Sequence, residues 1–180
     1  MKQKSLASLT HTSRAKELNK SLERLKNSVV FVGIASGSKN DARDDGGPPN
    51  HLLGFVHEHG SPAANIPARP FLVPGVKSAK QEVTASMEAA MRAALNDDDR
   101  TVKKLLEQTG MQAVSAVKLY MRNGEFEPLK PNTIKNRNRS RLTSGKRENE
   151  KEGLKIQPLI NTGALRDAID CYVEDGDGWT

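Results

Sequence analysis

The chain has 180 residues, a length that suits one domain with a long arm and excludes two full enzyme domains, because compact domains run to roughly 100–200 residues. Hydrophobic residues make up 36% and aromatics 4%, against ~45–50% apolar with glycine in average soluble domains, so the core is thin and its burial is expected to be completed by partners. Lys plus Arg exceed Asp plus Glu by 28 − 22 = 6, which favours anionic surfaces; the single Cys171 excludes an internal disulfide scaffold, a cysteine metal cluster is excluded with it, and a reducing compartment fits.

Leu18, Leu22, Leu25 and Val29 recur at helical spacing behind the capping candidates Thr12 and Ser13, which predicts a helix from about Ser13 to Asn27. The β-branched run from Val29 to Ile34 reads as a strand. From 35 to 50, glycines, prolines and the charges of Asp41, Arg43, Asp44 and Asp45 predict an exposed loop. Leu52, Phe55 and Val56 suit a short helix ending at Gly60, although so short a pattern leaves a strand open. Pro62, Pro67 and Pro70 then keep the backbone extended or turning.

Beyond Pro74, Val76, Val83, Met87, Met91 and Leu95 describe the inward face of one helix. A second, from about Asp98 to Arg122, turns Val102, Leu105, Leu106, Thr109, Ala113, Val117 and Tyr120 inward, and the short connection between them predicts antiparallel neighbours. Asp97, Asp98 and Asp99 stand where the second helix begins and its dipole is positive. From 124 to 153 the apolar pattern fails and a basic arm is expected, with a short turn over Thr133 to Arg137. Order returns near Leu154 and ends in the alternating run from Ala168 to Val173, which reads as a strand. No stretch approaches the ~20 apolar residues of a membrane span, and the amino terminus lacks a signal-peptide pattern; a soluble protein made in the cytosol is expected.

Three local patterns stand in order: His57-Glu58-His59-Gly60, then Ile66-Pro67-Ala68-Arg69-Pro70-Phe71-Leu72, then Pro158-Leu159-Ile160-Asn161-Thr162-Gly163-Ala164-Leu165-Arg166. Together they resemble the phage virion-morphogenesis family of the Mu type, the tail-completion or neck proteins of tailed bacteriophages, over roughly Leu52 to Val173. The resemblance implies a structural role without catalytic activity at the head–tail junction, in a ring of identical subunits expected to be hexameric or dodecameric. Its partners would be the connector or adaptor and the tail-tube or tail-terminator proteins, in a virion component made in the bacterial host cytoplasm. The positions that carry it are Glu58, Gly60, Pro67, Arg69, Pro70, Phe71, Leu72, Thr162, Gly163, Leu165 and Arg166. His59 departs from the commoner acid-aromatic-glycine form.

Residue chemistry gives these positions an independent logic. Pro67 and Pro70 stiffen the backbone on either side of Arg69, Phe71 and Leu72 can anchor the segment in a core, and Glu58 is the expected carboxylate partner of the Arg69 guanidinium. That pair is expected to brace the fold or a subunit interface. Thr162 and Gly163 suit a turn leading into one helical turn, with Leu165 inward and Arg166 towards solvent or a neighbouring subunit.

His51, His57 and His59 lie two and six residues apart, whereas a zinc helix needs histidines four apart on one face. Asp41, Asp44 and Asp45 lack the alternating ligands and terminal glutamate of a calcium loop. No nucleophile elbow or phosphate-binding glycine pattern is present, so no enzyme, cofactor or metal is expected. The arm carries Lys130, Lys135, Arg137, Arg139, Arg141, Lys146 and Arg147 without an interrupting Asp or Glu. Such a tract stays a solvated loop, meets an acidic protein face, for instance the terminus with Asp167, Asp170, Glu174, Asp175 and Asp177, or neutralises DNA phosphates without reading sequence. An accessory DNA-binding protein is accordingly the alternative function.

The expected fold is α+β: two long antiparallel helices and a short N-terminal helix packed on a small, mostly antiparallel sheet. It forms a single domain over 1–180, with the exposed loop 35–50 and the basic arm 124–153.

Overall fold

The computed structural model describes residues 6–43, 46–96, 98–143 and 157–174. In chain order these form α1 (Leu6–Asn27), β1 (Val29–Gly33), α2 (Asn50–His59), α3 (Leu72–Ser78), α4 (Lys80–Leu95), α5 (Asp99–Asn123), α6 (Pro131–Thr143), α7 (Ala164–Asp167) and β2 (Asp170–Glu174), with a single 3-10 turn at Pro62–Ala64. The class is α+β, with seven helices and one two-stranded antiparallel sheet among the described residues. None of the described helices is long and apolar enough to cross a membrane.

The chain groups into two compact units. One joins α1, β1, α4, α5 as far as Ser115 and β2 from Cys171; the other joins Ile34 to Lys77 with the described residues between Ala116 and Asp170. Neither is contiguous in sequence.

In the first unit Ala93, Ala94, Val102 and Leu106 are buried together, with Leu25, Val30, Leu105 and Val173 packed against them. The start of α5 is fixed twice. Asp98 accepts the Thr101 amide at 3.0 Å, as an N-cap does, and the Thr101 hydroxyl and amide hold its carboxyl below the ordinary carboxylate range. Asp99, in the first helical turn where a negative charge is favoured, forms an ion pair with Arg24 of α1 and accepts a bond from the Ser21 hydroxyl at 3.4 Å.

Helix α1 begins at Leu6, ahead of the expected start near Ser13. Thr12 and Ser13 offer a cap without imposing one, and the preceding Leu-Ala-Ser-Leu turn is compatible with helix. In α4 the inward face differs from the expected Met-rich stripe. Ser86, Ala90, Ala93 and Ala94 are buried, whereas Met87, Met91 and Leu95 are exposed. Small side chains let neighbouring backbones approach closely, so α1 packs on α4 and the Ser86 hydroxyl reaches Gln112 Oε1 of α5 at 2.9 Å.

The expected strands form as β1 and β2, β1 ending at Gly33, one residue early, and β2 starting two residues later than Ala168 and ending at Glu174. Alternation separates their faces. Phe31 and Tyr172 stack on the outer face with centroids 4.7 Å apart, while Val30 and Cys171 turn towards α5. There they meet Gly110, where an added Cβ would lie 2.7 Å from Cys171 Sγ, 2.9 Å from Cys171 Cβ and 3.2 Å from Val30 Cγ1. This glycine allows the sheet to lie directly on the helix.

Part of the expected arm is ordered as α6. Lys130 O accepts the Thr133 and Ile134 amides at 2.9 and 3.2 Å, and Pro131 occupies the first helical position, where its missing N–H is no loss. No apolar stripe announces this helix; its first turn closes on the Lys130 carbonyl and long-range bonds from Arg137 hold it. Residues 144–153 of the predicted arm, with Lys146 and Arg147, lie outside the described residues, as do Asp44, Asp45, Asp175 and Asp177.

Gly110→Ala is expected to lower unfolding stability by roughly 1–3 kcal/mol in urea titration, since the fixed Cys171 Cβ cannot yield without moving β2. Gly33→Ala, whose Cβ meets nothing within 4 Å, is expected to stay within about 0.5 kcal/mol of the parent.

Candidate interaction site

The second unit assembles around α2. Asp41 sets the start of this helix: its main-chain oxygen accepts the Asn50 amide at 2.8 Å, and its carboxylate accepts the His51 amide at 2.9 Å and the Gly37 amide at 2.8 Å. His51 Nδ1 lies 2.8 Å from the same carboxylate. Asn50, fully enclosed, donates its side-chain amide to Asn40 O at 2.7 Å. The loop expected to be exposed is therefore tied down at Asp41 and Asn50, both buried. The His51 amide first, with the Gly37 amide and the His51 ring, holds the Asp41 carboxyl below its usual range despite burial.

Along α2, Gly54 is buried against Ile34, Leu165 and Phe71, and an added Cβ would sit 2.8 Å from Ile34 Cδ1. Gly60 ends the helix with φ of 78° and returns its amide to Val56 O at 2.7 Å. A side chain there would suffer both the left-handed backbone and a 2.9 Å approach to Ala68 N, which only glycine avoids. The chain then doubles back: Ser61 and Ile66 exchange two main-chain bonds of 2.8 and 2.9 Å around the 3-10 turn, and Asn65 takes the left-handed conformation at φ 52°.

Glu58 and Arg69 do not pair with each other, contrary to the sequence expectation. Glu58 Oε2 accepts the amides of Phe71 and Leu72 at 2.7 and 2.8 Å, and Oε1 accepts that of Val73 at 3.1 Å. One carboxylate thus satisfies the bare first amides of α3, where it also meets the positive end of the helix dipole. Arg69, only 5% exposed, donates Nε to Glu127 O at 2.8 Å and Nη2 to Pro128 O at 3.2 Å. Its own amide donates to His57 O at 2.6 Å. Phe71 is buried and Leu72 half-buried, as expected.

A second guanidinium repeats this arrangement. Arg137 of α6 donates to Gln157 O at 2.8 Å, Pro158 O at 3.0 Å and Ile160 O at 3.3 Å. It faces into the fold, which corrects its placement among residues offered to an external partner. Lys135 and Arg139 are exposed, Lys130 Nζ donates to Asn65 O at 3.1 Å, and Arg141 belongs to α6.

Beyond this clamp, Thr162 Oγ1 accepts the Ala164 amide at 3.3 Å, Gly163 takes φ of 94°, and Leu165 is buried. Arg166 is half-exposed and bonded to Asp167 Oδ1 at 2.9 Å. Glu58 of the first sequence pattern is bonded to Phe71 and Leu72 of the second, and Phe71 and Leu165, from the second and third, both approach Gly54 of α2. An open groove of about 330 Å³ runs along His59, Ile66, Pro67 and Ala68, bounded by Glu127 and Lys130.

His57 is half-buried, and its Nδ1 is enclosed without a hydrogen-bond partner. Burial first, then the charges of Arg69 and Arg137, push its pKa down from 6.5 to about 4. Sequence reading weighs it as a zinc ligand of the wrong spacing; its proximity to Arg69 and Arg137 has no local signal. Asp41 and Asn50 were likewise invisible as anchors. Among the described residues, no three His, Cys, Asp or Glu side chains gather in a group able to hold a metal ion. The chain matches no protein-family model, no curated protein and no solved structure.

Two outcomes follow from this geometry. Glu58→Gln should destabilise the protein by roughly 1–3 kcal/mol, because charge-assisted bonds to α3 are lost. The folded state keeps His57 neutral while the unfolded chain takes up a proton below pH 6.5, so stability present above pH 6.5 is lost as pH falls towards about 4. Urea midpoints between pH 7 and 5 should decline, and His57→Gln should flatten that decline.

Proposed function

We propose that this chain is a non-enzymatic structural protein of a tailed-bacteriophage virion, which completes the tail and joins it to the head connector as one subunit of a homo-oligomeric neck ring. The observation that carries the reading is the segment from Ile66 to Phe71. Arg69 fastens it to main-chain carbonyls, Glu58 holds the helix that follows, and Ala68 and Pro70 remain exposed between them. A segment already stiff loses little freedom when another protein covers it, so rigid presentation favours assembly contacts. The charged residues of the resembling motifs are occupied in bracing, which is what a mechanical joint requires.

The finer architecture belongs to the same proposal: α4 and α5 run antiparallel, an arrangement supported by the Ser86–Gln112 bond and by Ala93 and Ala94 clustering with Val102 and Leu106. Connector or adaptor proteins and tail-tube or terminator proteins are the partners. Phage carrying Ala68→Glu, which changes an exposed side chain and leaves the clamps in place, should accumulate filled heads and separate tails; Arg69→Ala and deletion of 137–151 should do the same. Normal infectious particles from all three would overturn the reading.

A second reading, DNA binding through the basic tract, is favoured by one feature. Helix α6 contains no acidic residue and exposes Lys135 and Arg139. Duplex binding by the isolated protein should then weaken steeply with salt, and Lys135→Ala with Arg139→Ala should reduce the slope by about 2. Absence of binding at low salt would dismiss it.

A further inference from the structure

The outer face of α4 carries large apolar side chains in a row. Met87 is 37% exposed, Met91 54% and Leu95 48%, and residues four apart stack along one side of a helix. On one flank of this row Ser86, Ala90, Ala93 and Ala94 are already buried. Scattered apolar residues are ordinary on a protein surface, but a continuous ridge marks a contact. Beside this ridge stand Glu88 and Arg92, exposed and one helical turn apart.

We propose that the α4 ridge is the contact between two copies of this chain, packed antiparallel about a two-fold axis that crosses the helix at the level of Ala90. The axis inverts position along α4, so Met91 of one copy faces the gap between Met87 and Met91 of the second copy. Met87 in turn faces the gap between Met91 and Leu95. The ridge interlocks with itself. The same operation keeps the charged row on one flank and sets Glu88 against Arg92 of the second copy, twice. A parallel pair would place the two charged rows on opposite flanks and gain no such match. Charge complementarity therefore selects both the occupant, which is a second copy, and its direction.

A two-fold patch is self-complementary and closes at two copies, whereas a ring propagates through two different patches. This contact accordingly stands apart from the neck ring, and either can fail without the other. A dodecamer built from two facing hexamers would use both.

The test is the mass of the full chain by sedimentation equilibrium across a wide concentration range. The mass should rise from 19.7 kDa towards twice that value. Met91→Asp should hold it at the single-chain mass, with helical circular dichroism unchanged. Glu88→Arg and Arg92→Glu should each weaken association roughly tenfold, and the double exchange should restore it, since two mismatched pairs become two matched ones. A chain that stays single throughout, an assembly indifferent to Met91→Asp, or a double exchange as weak as the single ones would each overturn the proposal.

Discussion

The first amides of any helix have no upstream turn to bond, and α3, which starts two residues beyond Pro70, solves this with a carboxylate from elsewhere in the chain. Glu58, at the end of α2, accepts three consecutive amides from Phe71 to Val73. The bond set does more than cap. It fixes the angle at which the Pro-rich segment enters α3 and thereby directs Phe71 into the pocket formed with Gly54 and Leu165. Through that pocket the Thr162-Gly163 corner is held in place. A neutral side chain of the same length would make weaker bonds and lose the attraction of the helix dipole.

Both units combine small residues at points of closest approach with charged groups that tie distant segments. In the first, small alanines on α4 are buried in the core and Gly110 on α5 leaves room for the Cys171 and Val30 side chains, and the Arg24–Asp99 pair joins α1 to the start of α5. In the second, Gly75 plays the corresponding part: a Cβ there would lie 2.7 Å from Val117 Cα. A thin apolar inventory suits this construction, since close backbones need little side-chain bulk to exclude water.

Strands, the acidic start of α5 and the Thr162-Gly163 corner were legible because their signals are local, whereas the expected caps Thr12 and Ser13 lie inside α1. Val29 to Gly33, Asp98 at the α5 start and the Thr162-Gly163-Leu165 corner all follow from residue type and spacing. The inward face of α4 was misread because hydrophobicity ranks methionine above alanine, whereas close helix packing selects for size. Glu58 and Arg69 were expected to pair on grounds of opposite charge and short separation. Main-chain amides and carbonyls, which every residue carries, competed for both groups and no sequence pattern records them. The same blindness hid α6, whose helix rests on Lys130 carbonyl bonds and the reach of Arg137 to residues some twenty positions away.

The two arginine-to-backbone attachments, one buried and one half-buried, have an evolutionary corollary. Arg69 and Arg137 bind oxygens of the peptide backbone at Glu127, Pro128, Gln157, Pro158 and Ile160, so the identity of those five side chains is irrelevant to the bond. Drift at the acceptor positions leaves both attachments intact, while the arginines themselves have no substitute with the same fork of donors. Dependence runs one way only, and correlated substitution between the two ends would carry no trace of it.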